Sequence, residues 1–238
     1  MDAATITRTD MDIEIDAQGK LYRFLSLCFA HPDQSTLAWW QGGTAVEEIL
    51  GVVSGLQRGD ELSSHLTPLL DEVEDEARKL SPDEAEAIFI KMFACGVPQV
   101  LCPPYSSLYT SPDDDKRLFD MHAVKEFYAD CGMQFSEDFK DLPDHASVEF
   151  EFLQYLTYEE TRARARGEDQ LASFFAGKAL EFIERHALGL TEGMAAVVAT
   201  IRPQNMYCRL VEVASHVLRH DHEWRLAAAS GQSSLRKG

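Results

Sequence analysis

The sequence has few basic residues and no long apolar run. Its 238 residues include 22 lysines and arginines against 40 aspartates and glutamates, which gives a formal net charge of −18. A surface this negative repels phosphate backbones and favours basic partners, so the composition argues against a nucleic-acid binder. The longest apolar stretch, near residues 194–201, is far shorter than the ~18 residues that cross a bilayer. We therefore expect a soluble protein that does not insert into membranes.

The cysteines form neither a disulfide framework nor a zinc-binding pattern. They are odd in number, widely spread and without a C-x-x-C pair. They are Cys28, Cys95, Cys102, Cys131 and Cys208. An odd count of this kind suits a reducing compartment. The amino terminus also lacks a basic region followed by an apolar stretch, so we expect no secretory signal and a cytoplasmic location.

The sequence also lacks the common motifs of nucleotide binding and nucleophilic catalysis. No segment matches the two glycine-rich phosphate loops, G-x-G-x-x-G and G-x-x-x-x-G-K-[ST]. No segment matches the G-x-S-x-G turn that presents a nucleophilic serine. These absences predict a protein without catalytic residues and without a permanently bound cofactor.

What the sequence does contain is apolar residues at three- and four-residue steps. Leu21, Leu25 and Cys28 lie on one face of a helix that begins near Asp16 and ends before Pro32. Similar stripes follow along the chain, and no segment shows the alternation of a strand. Because each apolar stripe needs another helix to cover it, the pattern predicts an all-α fold: a single globular bundle of about nine helices.

Three segments depart from the helical pattern. Residues 1–15 are polar and aperiodic, which predicts a flexible amino-terminal arm before an all-helical domain over 16–226. Residues 227–238 are small and polar, which predicts a disordered tail. Residues 95–115 contain four prolines and little periodicity. A long aromatic loop of this kind inside a compact domain is often functional.

A possible metal site lies near the carboxyl terminus. Glu212, His216 and His220 follow one another at four-residue steps, so two imidazoles and a carboxylate share one helix face. The alternative is a solvated helix end whose histidines favour the negative end of the helix dipole. One hypothesis is therefore a helical metal-binding protein or a metal-dependent hydrolase.

Two further features leave a structural and a functional interpretation open. Asp144 and His145 begin a long predicted helix, where a carboxylate caps free amides and a histidine titrates near neutral pH. Tyr105 and Tyr109 lie four residues apart in the proline-rich loop. They either cover the core with their hydroxyl groups outward or form an amphipathic wall for a peptide.

Three motifs resemble one known family. Residues 103–109, PPYSSLY, resemble the P-Y-x-S-x-Y stretch of the TorD/DmsD/NarJ family. Residues 141–145, DLPDH, resemble its E-x-P-D-H signature, and residues 149–153, EFEFL, resemble its E-x-x-F-L helix. Asp141 departs from the family pattern, which usually has glutamate. The charge is kept, but the side chain is shorter.

The resemblance implies a cytoplasmic, system-specific chaperone with an all-α TorD-like fold. Such a protein binds the apo catalytic subunit of a molybdenum enzyme of the dimethyl-sulfoxide-reductase type, and in many members also its twin-arginine signal peptide. It holds this client until the molybdopterin guanine dinucleotide cofactor is inserted, before assembly or export. The resemblance further implies contact with cofactor-biosynthesis proteins, as a monomer or a homodimer. A structural subunit that stays with its enzyme is the other possibility.

The motifs also suggest where a basic, apolar client peptide binds. We predict a groove between the loop at 103–109 and the helix that starts near Pro143. A helix turns ~100° per residue, so His145, Glu149 and Phe152 share one face. The candidate residues for client and signal-peptide binding are Tyr105, Ser107, Tyr109, Asp141, Asp144, His145 and Glu149.

Overall fold

Helices account for most of the part of the chain that the computed structural model describes, residues 16–96, 99–111, 113–133 and 141–235. The helices are α1 (Ala17–Phe29), α2 (Gln34–Gln41), α3 (Ala45–Val53), α4 (Gly59–Ala77), α5 (Pro82–Phe89), α6 (Ser107–Thr110), α7 (Asp114–Asp130), α8 (Ala146–Ala165), α9 (Asp169–Phe182), α10 (Leu188–Val198) and α11 (Met206–Leu235). Within these residues the only extended pairing is an isolated bridge between Tyr105 and His145. The predicted amino-terminal arm, residues 1–15, lies outside the described residues.

Two π-helical segments make some of these helices continuous. Ile90–Ala94 extends α5, and Ile183–Ala187 joins α9 to α10 without a break. When each continuous run is counted once, the described ranges contain nine long helices and the short α6. The prediction of an all-α bundle of about nine helices is therefore confirmed.

Local capping explains where several helices begin. Asp16 caps α1, because its carboxylate accepts a hydrogen bond from the Gly19 amide at 2.8 Å. Ser81 and Glu84 form the reciprocal capping box at the start of α5, as the sequence pattern indicates. In neither case does the cap depend on a distant part of the chain.

The core is built from helix pairs that pack along most of their length. α1 lies against α8, α8 against α9, and α11 against both α4 and α10. Phe150 of α8 sits fully buried next to Phe29 of α1, with ring centroids 5.6 Å apart. Burying one such side chain contributes about 1.5–3 kcal/mol. In the described part, no helix combines the length and apolar character that a bilayer crossing requires.

A buried polar network joins three of these helices. Arg225 of α11 donates to Asp221 at 2.8 Å and to Glu160 of α8 at 3.0 Å. The hydroxyl of Tyr22, on α1, donates to the same Asp221 carboxylate at 2.6 Å. Burial, with the Asp221 charge, raises the pKa of Tyr22 well above its usual value. The network therefore fixes α11 against α1 and α8.

The end of α11 differs from the sequence prediction. α11 continues to Leu235, through most of the segment 227–238 for which the sequence predicts a disordered tail. Alanines at 227–229 favour helix, and Ala228 and Ala229 line a cavity shared with Ala176 and Gly177 of α9. Residues 236–238 lie outside the described part of the chain.

Candidate functional site

The proline-rich loop and the start of α8 are paired directly through their backbones. The amide of Ser106 donates to the carbonyl of Asp144 at 2.9 Å, and the amide of Ala146 donates to the carbonyl of Pro104 at 2.7 Å. We call this pairing, over residues 104–107 and 144–146, the loop–helix junction. These two bonds directly join the loop and the helix start between which the sequence predicts a peptide groove.

Asp144 lies at the centre of the junction and is completely buried. Its Oδ2 atom accepts hydrogen bonds from the Ser107 amide at 3.1 Å and the Ser107 hydroxyl at 2.6 Å. Its Oδ1 atom has no hydrogen-bond partner among the described residues. The sequence left a structural and a functional interpretation of Asp144 open. Its burial and its bonds to Ser107 show that it holds the loop against α8.

Glu149, one turn into α8, is also fully buried. Neither carboxylate oxygen has a partner with hydrogen-bond geometry in the part of the chain that is described. Burial raises the pKa of Glu149 well above 4.5, the negative charge of Asp144 adds to this effect, and the nearby Ser106 hydroxyl opposes it. The structure therefore favours a neutral carboxyl group for the fully buried Glu149.

His145 is the N-cap residue of α8. Its Nδ1 atom accepts a hydrogen bond from the Ser147 amide at 3.2 Å and lies 2.8 Å from the Ser147 hydroxyl. Its Nε2 atom lies 3.9 Å from the Asp141 carboxylate. Burial lowers the pKa of His145, and the charges of Asp141 and Asp144 act in the opposite direction. The imidazole thus serves first as a helix cap.

Tyr105 and Asp141 form the outer edge of the junction. The Tyr105 hydroxyl donates to the Asp141 carboxylate at 3.4 Å, and its ring packs edge-on against His145 with centroids 5.1 Å apart. The Asp141 side chain is 45% exposed, and Tyr105 is half-buried. Burial and the Asp141 charge raise the pKa of Tyr105. Both residues at this edge are therefore at least partly exposed to solvent.

Tyr109, by contrast, turns towards the core. Its hydroxyl donates to the Pro103 carbonyl at 2.8 Å, and its ring lies against Gly193 of α10. A Cβ atom at position 193 would come within 2.5 Å of the ring, so only glycine fits there. Both tyrosines predicted to form an amphipathic wall are partly exposed, but Tyr109 packs against the core, whereas Tyr105 lies at the outer edge of the junction.

Tyr128 of α7 supports the segment that leads into the junction, although it is not among the residues predicted from the sequence. Its hydroxyl donates to the Pro143 carbonyl at 2.8 Å, and its ring packs on Phe152 with centroids 4.4 Å apart. Burial, with the charges of Glu149 and Asp144, raises the pKa of Tyr128. The apolar periodicity of α7 marks Tyr128 as a core residue, but it carries no information about which carbonyl the hydroxyl reaches.

The three residues of the possible metal site do not converge. Glu212 accepts a hydrogen bond from Arg209 at 3.0 Å, and His216 stacks on His65 of α4 with ring centroids 5.0 Å apart. His220 lines a separate cavity. Across the described ranges, no three His, Cys, Asp or Glu side chains are grouped as metal ligands. Steps of four residues keep the three side chains on one helix face but spread them over two turns, so a shared face does not bring them to one metal ion.

Comparison with known proteins shows the family to which the chain belongs. A family model described as the nitrate reductase delta subunit matches residues 59–188, more than half of the chain. The chain belongs to this family. A similar curated protein, the perchlorate reductase assembly chaperone protein of Dechloromonas aromatica strain RCB, is 22% identical over 187 residues, covering 78% of each chain. A crystal structure described as a redox enzyme maturation protein, from Archaeoglobus fulgidus, is 18% identical with a TM-score of 0.46, covering 85% of this chain and 93% of that one.

Membership of the nitrate reductase delta subunit family confirms the resemblance inferred from the three motifs. The matched range includes the whole loop–helix junction, residues 104–107 and 144–146, and also Glu149. The matched range begins with α4 and excludes α1 to α3.

Proposed function

We propose that this protein is a non-catalytic, cytoplasmic assembly chaperone for a molybdenum-containing oxidoreductase. It binds the apo catalytic subunit, including that subunit's amino-terminal peptide, and releases it after cofactor insertion. The molybdopterin guanine dinucleotide belongs to the client. This chain keeps the client accessible to the proteins that deliver this cofactor. Family membership supports the chaperone role. The peptide contact is supported by the outer edge of the junction.

The observation that carries the peptide contact is the position of Asp141 beside Tyr105. Asp141 presents a half-exposed carboxylate, whereas the carboxylates of Asp144 and Glu149 are buried. A guanidinium group recognises a carboxylate through two parallel hydrogen bonds, which suits the arginines of a client leader. The Tyr105 hydroxyl and the Leu142 amide both donate to Asp141 Oδ1, so part of the freedom of this carboxylate is already lost before a peptide binds.

Two exposed leucines extend this edge with apolar surface. Leu108 of α6 is 37% exposed, and Leu142, next to Asp141, is 43% exposed. A leader in which arginines precede an apolar stretch would place its charged part on Asp141 and its apolar part on these leucines. The net charge of −18 increases the rate of encounter with such a basic peptide.

The first experiment identifies the client. The tagged full chain is recovered from cells grown anaerobically, and the large bound protein is identified by mass spectrometry.

The client's amino-terminal peptide is then titrated against the wild type, Asp141→Asn, Tyr105→Phe and the control Asp71→Asn on α4. We expect Asp141→Asn to weaken binding by about tenfold and added salt to weaken it for the wild type. Equal affinity in all four proteins and at both salt concentrations would place the peptide site elsewhere.

The second experiment tests whether this chain is a chaperone that leaves its client or a permanent subunit of the enzyme. A chaperone leaves its client, so the chain should be absent from the purified mature oxidoreductase and present in complexes with its cofactor-free form. Deleting the gene should lower the molybdenum content of the client. A stoichiometric band of this chain in the active, metal-loaded enzyme would contradict the proposal.

A further inference from the structure

Three buried carboxylate oxygen atoms at the loop–helix junction have no hydrogen-bond partner among the described residues: Oδ1 of Asp144 and both Oε atoms of Glu149. The side chains of both residues are shielded completely from solvent. An ionised carboxylate in such a place needs a cation or several hydrogen-bond donors, because burial removes its water. The described structure offers Glu149 no cation, and the closest donor is the nearby Ser106 hydroxyl. The closed junction therefore suits a Glu149 that carries a proton.

The groups around Glu149 supply one charge, and it is negative. This charge is the Asp144 carboxylate, which adds to the effect of burial on the pKa of Glu149. On the elements that pack against α8, burial shifts the pKa values of several titratable side chains towards the neutral form; they are Tyr128 of α7, Tyr22 and Cys28 of α1, and His186 between α9 and α10. The charged side chains of these elements and of α11 are exposed or paired with other residues; examples are Arg23, Lys125, the Lys178–Glu181 pair and Arg225 with Glu160. None of them balances an ionised Glu149.

A short segment of the loop forms part of the cover over Glu149. Ser106, whose hydroxyl lies beside Glu149, belongs to this segment. The segment is attached to the start of α8 by the two backbone hydrogen bonds of the junction and by the bonds from Ser107 to Asp144. Breaking these bonds displaces residues 104–107 while α8 stays packed on α1. Local opening of this kind is the shortest route by which water reaches Glu149.

We propose that the loop–helix junction is a proton-controlled latch, which is closed while Glu149 carries a proton and opens residues 104–107 away from α8 when that proton is lost. Ionisation of Glu149 in the closed junction would place a second buried negative charge beside Asp144. Opening lets water solvate both carboxylates. Because Tyr105 belongs to the loop and Asp141 precedes α8, opening also changes the outer edge of the junction. The latch does not depend on the proposed client contact.

The direction of the pH dependence follows from the environment of Glu149 in the two states. Burial raises the pKa of Glu149 in the closed junction, whereas water in the open junction returns the pKa towards 4.5. The closed state is therefore favoured most below pH 4.5, and it loses this advantage as the pH rises through the closed-state pKa. Between these two values the equilibrium constant for opening rises about tenfold for each pH unit, and above the higher value it is constant.

His145 affects the same equilibrium in the opposite direction. Burial lowers the pKa of His145 in the closed junction, and the charges of Asp141 and Asp144 oppose this effect. Opening relieves the burial, so protonation of His145 favours the open state as the pH falls below 6.5, its usual pKa. A comparison between the wild type and a variant of Glu149 that retains His145 cancels this contribution.

Amide hydrogen exchange of the full chain measures the opening. The Ser106, Ser107 and Ala146 amides are followed by NMR between about pH 5 and about pH 8.5, and each rate is divided by that of an unprotected amide to give the equilibrium constant for opening. We expect the ratio of this constant in the wild type to that in Glu149→Gln to rise about tenfold per pH unit and then to level off. Glu151→Gln, at an exposed position of α8, is the matched control and should show a constant ratio.

Two outcomes would overturn the proposal. One is a ratio between the wild type and Glu149→Gln that does not change with pH. The other is an opening constant at the junction no larger than that of the Leu25 amide in α1, because the junction would then open only when the whole fold does. If thermal melting shows that Glu149→Gln is unfolded, Glu149→Met takes its place, since methionine has a similar size and does not ionise. No client peptide enters this test, so its failure is distinct from failure of the proposed function.

Discussion

The hydroxyl of Ser107 donates to the buried carboxylate of Asp144 at 2.6 Å, across 37 residues of sequence. The same carboxylate oxygen also accepts the Ser107 amide, so one side chain caps α6 from outside the helix. This pair connects two of the three motifs that identify the family. The consequence is that Asp144 and Ser107 maintain the shape of the site, while Tyr105 and Asp141 at its outer edge stay partly exposed.

Replacing Asp144 with alanine should therefore destabilise the fold. The change leaves the buried Ser107 amide and hydroxyl without an acceptor, which should lower the free energy of unfolding by about 2–3 kcal/mol. Ser107→Ala should cost about 1–2 kcal/mol, since the amide bond to Asp144 remains. Urea denaturation measures both, and Asp71→Ala, at an exposed position of α4, is the control. A loss below about 0.5 kcal/mol for Asp144→Ala would contradict the structural role.

Glu149→Gln should stabilise the protein at neutral pH. Burial raises the pKa of Glu149 in the folded state, so its contribution is fully present below the unfolded pKa, near 4.5. The contribution is lost as the pH rises towards the folded pKa. Glutamine keeps the shape without ionising, so the variant should exceed the wild type by on the order of 1 kcal/mol at neutral pH. The difference should shrink as the pH falls towards 4.5.

Urea denaturation of both proteins at several pH values tests this dependence. Glu151→Gln, at an exposed position of the same helix, is the matched control and should not show the trend. A wild-type protein that gains stability over Glu149→Gln as the pH rises would mean that the carboxylate is ionised and stabilising in the folded state.

Arg225→Ala should be among the most destabilising single changes in α11. Arg225 is almost fully buried and neutralises both Asp221 and Glu160. Removing it leaves two buried carboxylates without a cation, which should cost about 3–5 kcal/mol. Arg219→Ala on the same helix breaks only the exposed pair with Glu192 and should cost less than about 1 kcal/mol. Similar losses from the two variants would contradict the network.

Gly193→Ala and Gly177→Ala should have opposite effects on stability. At position 193 a methyl group would overlap the Tyr109 ring, so we expect a loss of about 1–3 kcal/mol. At position 177 no heavy atom lies within 4 Å of the added carbon, and alanine should stabilise α9 by about 0.5–1 kcal/mol. Thermal melting of the two variants and the wild type measures both stability changes. A neutral Gly193→Ala would mean that Tyr109 does not pack there.

The helical content and much of the site could be predicted because both depend on short-range patterns. Leu21, Leu25 and Cys28 repeat at the helical period, and all three are buried in α1. Ser81 and Glu84 cap α5 through atoms only three residues apart. The family motifs likewise indicated that residues 103–109 and 141–149 act together, and the structure brings them into direct contact. Whether they bind a client remains a prediction.

The orientation of each side chain in that contact required the tertiary structure. Tyr105 and Tyr109 are equivalent in sequence, yet Gly193, far along the chain, admits only the Tyr109 ring to the core. Glu149 resembles a solvated carboxylate in sequence, and burial beneath the junction makes it favour the neutral form. Helix periodicity specifies which residues share a face, but burial depends on which distant element covers that face. Long-range packing therefore placed Asp141 and Tyr105 at the surface and Asp144 inside.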